Sequence, residues 1–372
     1  MHVAAQIDSV VVKQKRFELN GYVDYVQDVS LLHSWIINST ILNRLNLEIT
    51  PFKNAKIEIS DRNRLLYGDA VRSGSSYANL IEQDNGFLQL SKNIYADKNV
   101  IFNTSIDRLY FDYTHNKLQY TIGRQRINWG QTFAWNPNDV FNTYSFFDVN
   151  YVERKGCDAL RLQYFTGVSS HGELAAKLDS KNKTTIAGLY KWTPYNTDVQ
   201  FLAGYKQNED LFVGFGFSGY VKGTSLRGEL TALHSVVDSV NTKDVVVTSV
   251  GFDHSFRNSL SLQGEFLYNS YAKQFSLKNI ADFYTLDLSV KTLSIDRYSI
   301  LLSARYPLTP LINTSLSGMY FFDYRGFFIN PGISFSLSDN IEFSIIAQYF
   351  NLEIVSQRVS ATIVYGSLKW SF

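Results

Sequence analysis

The chain has 372 residues, 45% of them hydrophobic and 15% aromatic, with 24 Tyr, 27 Phe and 6 Pro, yet its mean hydropathy is only -0.13. Charge nearly cancels, 35 Lys and Arg against 34 Asp and Glu, which removes any bulk attraction to nucleic acid. The lone cysteine, Cys157, excludes an internal disulfide and a cysteine-based zinc site, and the six scattered histidines show no ligand spacing, so neither metal nor cofactor is expected.

No stretch approaches the roughly 18 consecutive apolar residues of a spanning helix. The greasiest runs, YSILLSA at 298–304 and IEFSIIAQYF at 341–350, have the length of strands, and the aromatic and β-branched enrichment favours pleated structure. The start, MHVAAQIDS, has no basic stretch followed by an apolar run, so no secretory signal is read there.

From residue 17 onward one pattern repeats: a strand, a turn, a strand. Apolar residues alternate at Leu19, Gly21, Val23 and Tyr25, at Ala55, Ile57 and Ile59, and at Leu109, Phe111 and Tyr113. The same period of two returns at Leu160, Leu162 and Tyr164, at Phe201, Ala203 and Tyr205, at Ile300, Leu302 and Ala304, and at Ile341, Phe343 and Ile345. That is the spacing of a sheet with one greasy face. The other face carries Glu48, Lys56, Glu58, Arg62, Arg108, Asp112, Arg161, Lys177, Arg227, Glu229, Glu265, Arg305 and Glu342.

Turn signals divide the chain into about eighteen strands of about 9 to 13 residues, long enough to cross a bilayer at a tilt. Parsing the weak segments 171–192 and 244–254 otherwise gives about sixteen. Every second connection is short: PFKN at 51–54, HNK at 115–117, VKG at 221–223, FRNS at 256–259, LSDN at 337–340. Those between include long ones, 66–99, 130–156, 235–244 and 271–295. Two populations of loops imply two different sides, as in an outer-membrane barrel and not in a soluble sandwich.

The expected fold is therefore all-β: a transmembrane antiparallel up-and-down β-barrel over 17–372, preceded by a short periplasmic segment, 1–16. Unpaired backbone groups at a sheet edge in hydrocarbon each cost several kcal/mol, so the first and last strands must pair. The chain ends YGSLKWSF, with Leu368, Trp370 and Phe372 on one face. A terminal Phe preceded by alternating apolar residues resembles the C-terminal signature of bacterial outer-membrane barrels, the segment their assembly machinery recognises. That resemblance implies the outer membrane of a Gram-negative bacterium, with the bilayer and the assembly machinery as partners.

Residues 123–142, GRQRINWGQTFAWNPNDVFN, are similar to the GRQ…WG…WNPxDxF element of porin-like barrels, a group similar to those that pass phosphate or organic anions and to uncharacterised barrels of the same length. Strict alternation after Leu118, Tyr120 and Ile122 would turn Arg124 and Arg126 toward lipid, at roughly 2–4 kcal/mol each near the midplane. A bulge at Gly123 would turn them into the lumen; the other expectation is that the strand has already risen above the bilayer. Trp129 and Trp135 are expected to anchor the loop, and Asn136-Pro137-Asn138-Asp139 is a turn sequence. Two readings stay open. Either the loop narrows a pore, with Arg124 and Arg126 facing Asp139 or a passing anion, or it plugs the wall, with Arg paired to Asp and Trp filling space.

In the loop 66–99, SSYANLIEQ reads as a short helix with Ser75 or Ser76 as its cap. In 271–295, Phe275, Leu277, Ile280, Phe283 and Tyr284 would form a sticky patch, which points to a protein partner or a folded cap.

For catalysis no nucleophile constellation is visible; Asp253 and His254 are adjacent and point to opposite faces. A barrel of this size leaves an aqueous channel unless loops fill it. Arg62, Arg108, Arg124, Arg126 and Arg161 would form a basic ladder opposed by Glu48 and Glu58, and arginine suits carboxylate and phosphate bidentately. The leading expectation is a porin-like channel for small polar or anionic solutes. The alternative is a non-conducting accessory barrel of a larger outer-membrane complex. An energy-coupled transporter is not expected, since such barrels carry an N-terminal plug domain.

Overall fold

The structure, a computed structural model, describes residues 16–31, 34–147, 153–237, 244–274 and 288–372. The expected segment 1–16, apart from Arg16, and the patch residues Phe275, Leu277, Ile280, Phe283 and Tyr284 lie outside them.

The first strands are β1 (Phe17–Leu31), β2 (Trp35–Ile49), β3 (Ala55–Gly68), β4 (Ser91–Ala96), β5 (Val100–His115) and β6 (Leu118–Gln125). There follow β7 (Cys157–Phe165), β8 (His171–Leu178), β9 (Thr184–Trp192), β10 (Asp198–Lys206), β11 (Asp210–Val221), β12 (Thr224–Ser235) and β13 (Val245–Ser255). The ring is completed by β14 (Ser261–Asn269), β15 (Tyr298–Thr309), β16 (Ile312–Phe321), β17 (Gly326–Ser338), β18 (Ile341–Ile354) and β19 (Gln357–Ser371).

Each strand pairs antiparallel with its neighbours, and β1 pairs with β19 from Tyr22↔Ser371 to Leu31↔Thr362. The sheet thus closes on itself, as the absence of water in hydrocarbon requires. Phe372 extends the seam: its N–H donates to the Gly21 carbonyl at 2.9 Å and its carbonyl accepts from the Gly21 N–H at 3.0 Å. The terminal ring, beside Trp370 at a centroid distance of 5.1 Å, lies on the outward face.

β5 is long enough to serve two partners on one edge. β6 pairs with its turn-side half, His115↔Leu118 to Leu109↔Arg124, and β4 with its loop-side half, Ser105↔Ser91 to Ile101↔Ala96. The two share one place in the ring, which makes a closed barrel of 18 strands. The wall position that β6 vacates above Gln125 is taken by β4, and the chain beyond Gln125 is free to turn inward.

Outward rows are apolar and exposed, as at Leu160 and Tyr164, Phe201 and Val213, Ile300 and Leu302. Aromatic residues mark both ends of these rows, with Tyr164, Trp192 and Phe372 toward the short turns and Tyr205, Tyr298 and Tyr320 toward the long loops, the two girdles of a bilayer-spanning barrel.

The loop between β3 and β4 contains α1 (Asp69–Arg72) and α2 (Ser75–Glu82). The helix expected in SSYANLIEQ is present, but its cap is not a serine. Gly74, at φ 104, holds the N-cap position without a side-chain hydrogen bond, because only a glycine adopts that backbone cheaply, and both serines fall inside the first turn.

Candidate functional site: a lumen crossed by an inward loop

The chain from 126 to 147 leaves the wall and packs inside the barrel. Two carboxylates from the far side receive it. Glu265 of β14 accepts from the backbone N–H groups of Phe133 at 2.9 Å, Ala134 at 2.8 Å and Trp135 at 2.9 Å, and from the Ser249 hydroxyl at 2.6 Å. Glu229 of β12 accepts from the backbone of Gln131, of Thr132 at 2.7 Å and of Asn138 at 2.8 Å. A loop running through a barrel interior has no ladder to satisfy its N–H groups, and charged acceptors satisfy them most strongly.

The motif's side chains are consumed in the same way. The Trp129 indole donates to Glu173 at 2.7 Å, and its ring meets Phe141 edge-on at 4.9 Å. Trp135 is buried. Asn138 donates to the Phe215 carbonyl at 3.0 Å and accepts from Thr231 at 2.8 Å. Trp129 and Trp135 thus both lie buried within the inward segment.

Past the turn, Phe147 sets its ring against Phe328 at 5.1 Å and Phe350 at 5.5 Å, and its carbonyl accepts from Gln348 at 3.0 Å. The returning end reaches the opposite wall: the Tyr22 hydroxyl of β1 donates to Glu153 at 2.7 Å and the Gly156 N–H to the Asp107 carbonyl at 3.2 Å. The loop therefore spans the lumen. On the β7–β18 side it forms a dry core with inward residues such as Leu267, Leu301, Met319 and Phe321.

The β1–β5 side is polar and carries charges of both signs. The register of β5 against β3 shifts between Ser60↔Arg108 and Asp61↔Ile106, which leaves Asp107 as an extra residue and turns it inward beside Arg108. Asp107 accepts from Arg44 at 2.8 Å and faces Arg62 at 3.6 Å. Lys155, from the loop's return, is pushed below the ordinary lysine range by burial and by Arg62 and Arg64, with Asp107 and Asp84 opposing.

Toward the short turns the inward face carries both signs. Lys56 bridges Glu48 at 2.7 Å and Glu58 at 3.1 Å, and Arg108 faces Glu58 at 3.5 Å. Arg161 grips Glu173 with two bonds of 2.7 Å.

Arg124 departs from expectation. Gly123 has φ 115, but pairing runs unbroken through it on both sides, Tyr110↔Gly123 and Gly123↔Ala159. No bulge forms there, and the bulge lies on β5 instead. Arg124 keeps the outward parity of Ile122 and does not meet Asp139. It is roofed by the external segment 84–90, where it pairs with Asp84 at 2.7 Å and Asp158 at 2.8 Å and donates to the Leu88 carbonyl at 2.5 Å. Against the effect of burial, Arg124 and the backbone N–H groups of Gly86 and Leu90 hold Asp84 below the usual carboxylate range. The outward arginine is tolerated because protein, not lipid, covers it.

Arg126 lies near Asp139, which is buried in the loop. Burial pushes the Asp139 carboxyl up to about 6, against the pull of Arg126, the Asn142 N–H, Arg154 and Lys177. Sequence reasoning missed Arg44, Asp107, Phe147 and the two receiving glutamates as parts of one site. Glu229 and Glu265 were visible only as inward charges, and nothing local marked the bulge at Asp107.

No protein-family model matches the chain, and no curated protein is similar to it in sequence. Its fold is that of Gram-negative outer-membrane porins. OpdQ of Pseudomonas aeruginosa superposes with a TM-score of 0.61 at 9% identity, over 96% of this chain and 99% of that one. OccAB4 of Acinetobacter baumannii gives 0.58 at 9%, over 97% and 99%. OccK2 of P. aeruginosa in complex with glucuronate gives 0.60 at 7%, over 96% and 98%.

Proposed function

We propose that the protein is an outer-membrane channel for passive diffusion of small polar or anionic solutes, built as one barrel over 17–372 and narrowed by the inward segment 126–147 and its return at 153–156. The observation that carries this reading is the clustering of Arg44, Arg62 and Lys155 beside Asp107, where the loop's return meets the polar wall. Arginine forks in a narrow passage take carboxylate and phosphate bidentately, which favours anionic solutes. Arg108, Arg161, Glu48 and Glu58 would line the approach from the short-turn side, while Arg126 and Asp139 belong to the loop itself. Leu368, Trp370 and Phe372 serve as the segment read by the assembly machinery.

Conductance of the purified protein in planar bilayers tests the reading. Steady single-channel steps with a preference for chloride over potassium are expected, and Arg62→Gln with Lys155→Gln should reduce that preference. Glucuronate, the ligand of one fold neighbour, is a suitable first blocking solute. Silent bilayers together with a co-purifying protein would favour the accessory-subunit reading instead.

A further inference from the structure

The outward wall has a polar interruption that the channel does not use. Along β3 the outward row reads Ile57, Ile59, Asp61, Asn63, Leu65, Tyr67, so Asp61 and Asn63 sit between apolar residues on both sides. Neighbouring strands continue the strip. Asn43 of β2 and Thr104 of β5 lie directly opposite Asn63, and Lys92 of β4 lies opposite Thr104. In β2 the strip is flanked by Ile41 and Leu45, in β5 by Phe102 and Ile106.

Asp61 accepts from Asn63 at 2.6 Å and from Thr104 at 3.2 Å; both are wall neighbours. Asp158, another outward carboxylate, is roofed by the segment 84–90 and paired with Arg124. Lys92 is exposed and makes no ion pair among the described residues. Acyl chains offer neither donor nor acceptor, and a charge facing them is costly.

We infer that this strip is the contact surface for a second copy of the chain, seated side by side with the first in the bilayer. Copies in one membrane share an orientation, so a two-fold axis relating them runs along the membrane normal. With that axis passing just outside Thr104, one flank of the strip meets the opposite flank of the partner. Asp61 lies one strand to one side of β5 and Lys92 one strand to the other. Each copy's carboxylate therefore meets its partner's ammonium, twice over, and the strip is its own complement. This holds whether or not the lumen conducts.

The test is a cysteine scan in intact outer membranes, with the buried Cys157 left in place. Thr104→Cys is expected to give an oxidant-induced two-chain band, whereas Leu230→Cys, on the outward face of β12, gives none. The protein purified in mild detergent should have the mass of two chains, and Lys92→Glu should shift it to one chain while the gel mobility of the folded barrel is kept. A one-chain mass for the wild type, or a three-chain mass, overturns the proposal. So does Thr104→Cys that crosslinks no better than Leu230→Cys, or that captures a different protein.

Discussion

Replacing Glu265 by alanine tests how the loop is held inside the barrel. The carboxylate takes three backbone N–H groups at 2.8 to 2.9 Å and one hydroxyl at 2.6 Å. Hydrogen bonds to a charged group are worth roughly 1.5–3 kcal/mol each, so three sum to about 4–9 kcal/mol before compensation. The vacated space has enough donors to hold a water molecule, which recovers part of the loss. A net weakening of about 3 kcal/mol at the turn is a fair expectation, equivalent to about 100-fold in an opening equilibrium. Hydrogen exchange followed by mass spectrometry should show the amides of 133–135 losing protection by about that factor. Amides in the β1–β19 seam should be unchanged, because the ladder does not depend on the loop. If 133–135 exchange no faster in Glu265→Ala than in the wild type, the glutamate is not what fixes the loop.

Two further expectations follow from the same geometry. Asp139, with its carboxyl raised to about 6, is ionised above that value and neutral below it. Stability from the neutral form is therefore fully present below its ordinary aspartate range and lost as pH rises through about 6. In reversal-potential measurements, anion preference should rise as pH falls from about 7 to about 5, since neutralising Asp139 leaves Arg126, Arg154 and Lys177 unopposed; Asp139→Asn should abolish that step, and a step that survives would assign it elsewhere. Arg124→Ala should free the segment 84–90, so that its amides exchange hydrogen faster, while ion selectivity stays within about twofold of wild type because the side chain faces outward. A large selectivity change would place Arg124 in the pore after all.

Much of the fold was legible in the sequence because a barrel in lipid is overdetermined by local rules. The side-chain period of two sorts residues such as Leu160 and Arg161 onto opposite faces, and hydrocarbon forbids a free edge, so Phe372 had to find β1. Alternate short and long connections marked the two sides without any tertiary information. The helix at Ser75 was also visible, though the cap was misassigned because Gly74 offers backbone freedom where a serine would offer a hydroxyl.

What the sequence determined by itself was the cylinder and the sign of each face, since both depend only on alternation and on the solvent outside. Tertiary structure decided what happens within. Glu229 and Glu265 lie 91 to 132 residues from the amides they receive, and no local pattern announces a partner at that distance. The bulge that turns Asp107 inward is a single unpaired residue, fixed by the fit of β5 against β3 rather than by a glycine. Arg124 stays outward for a complementary reason: Asp158 beside it on β7 and Asp84 in a loop from elsewhere in the chain supply the carboxylates, and that loop supplies the cover, that make an outward charge tolerable.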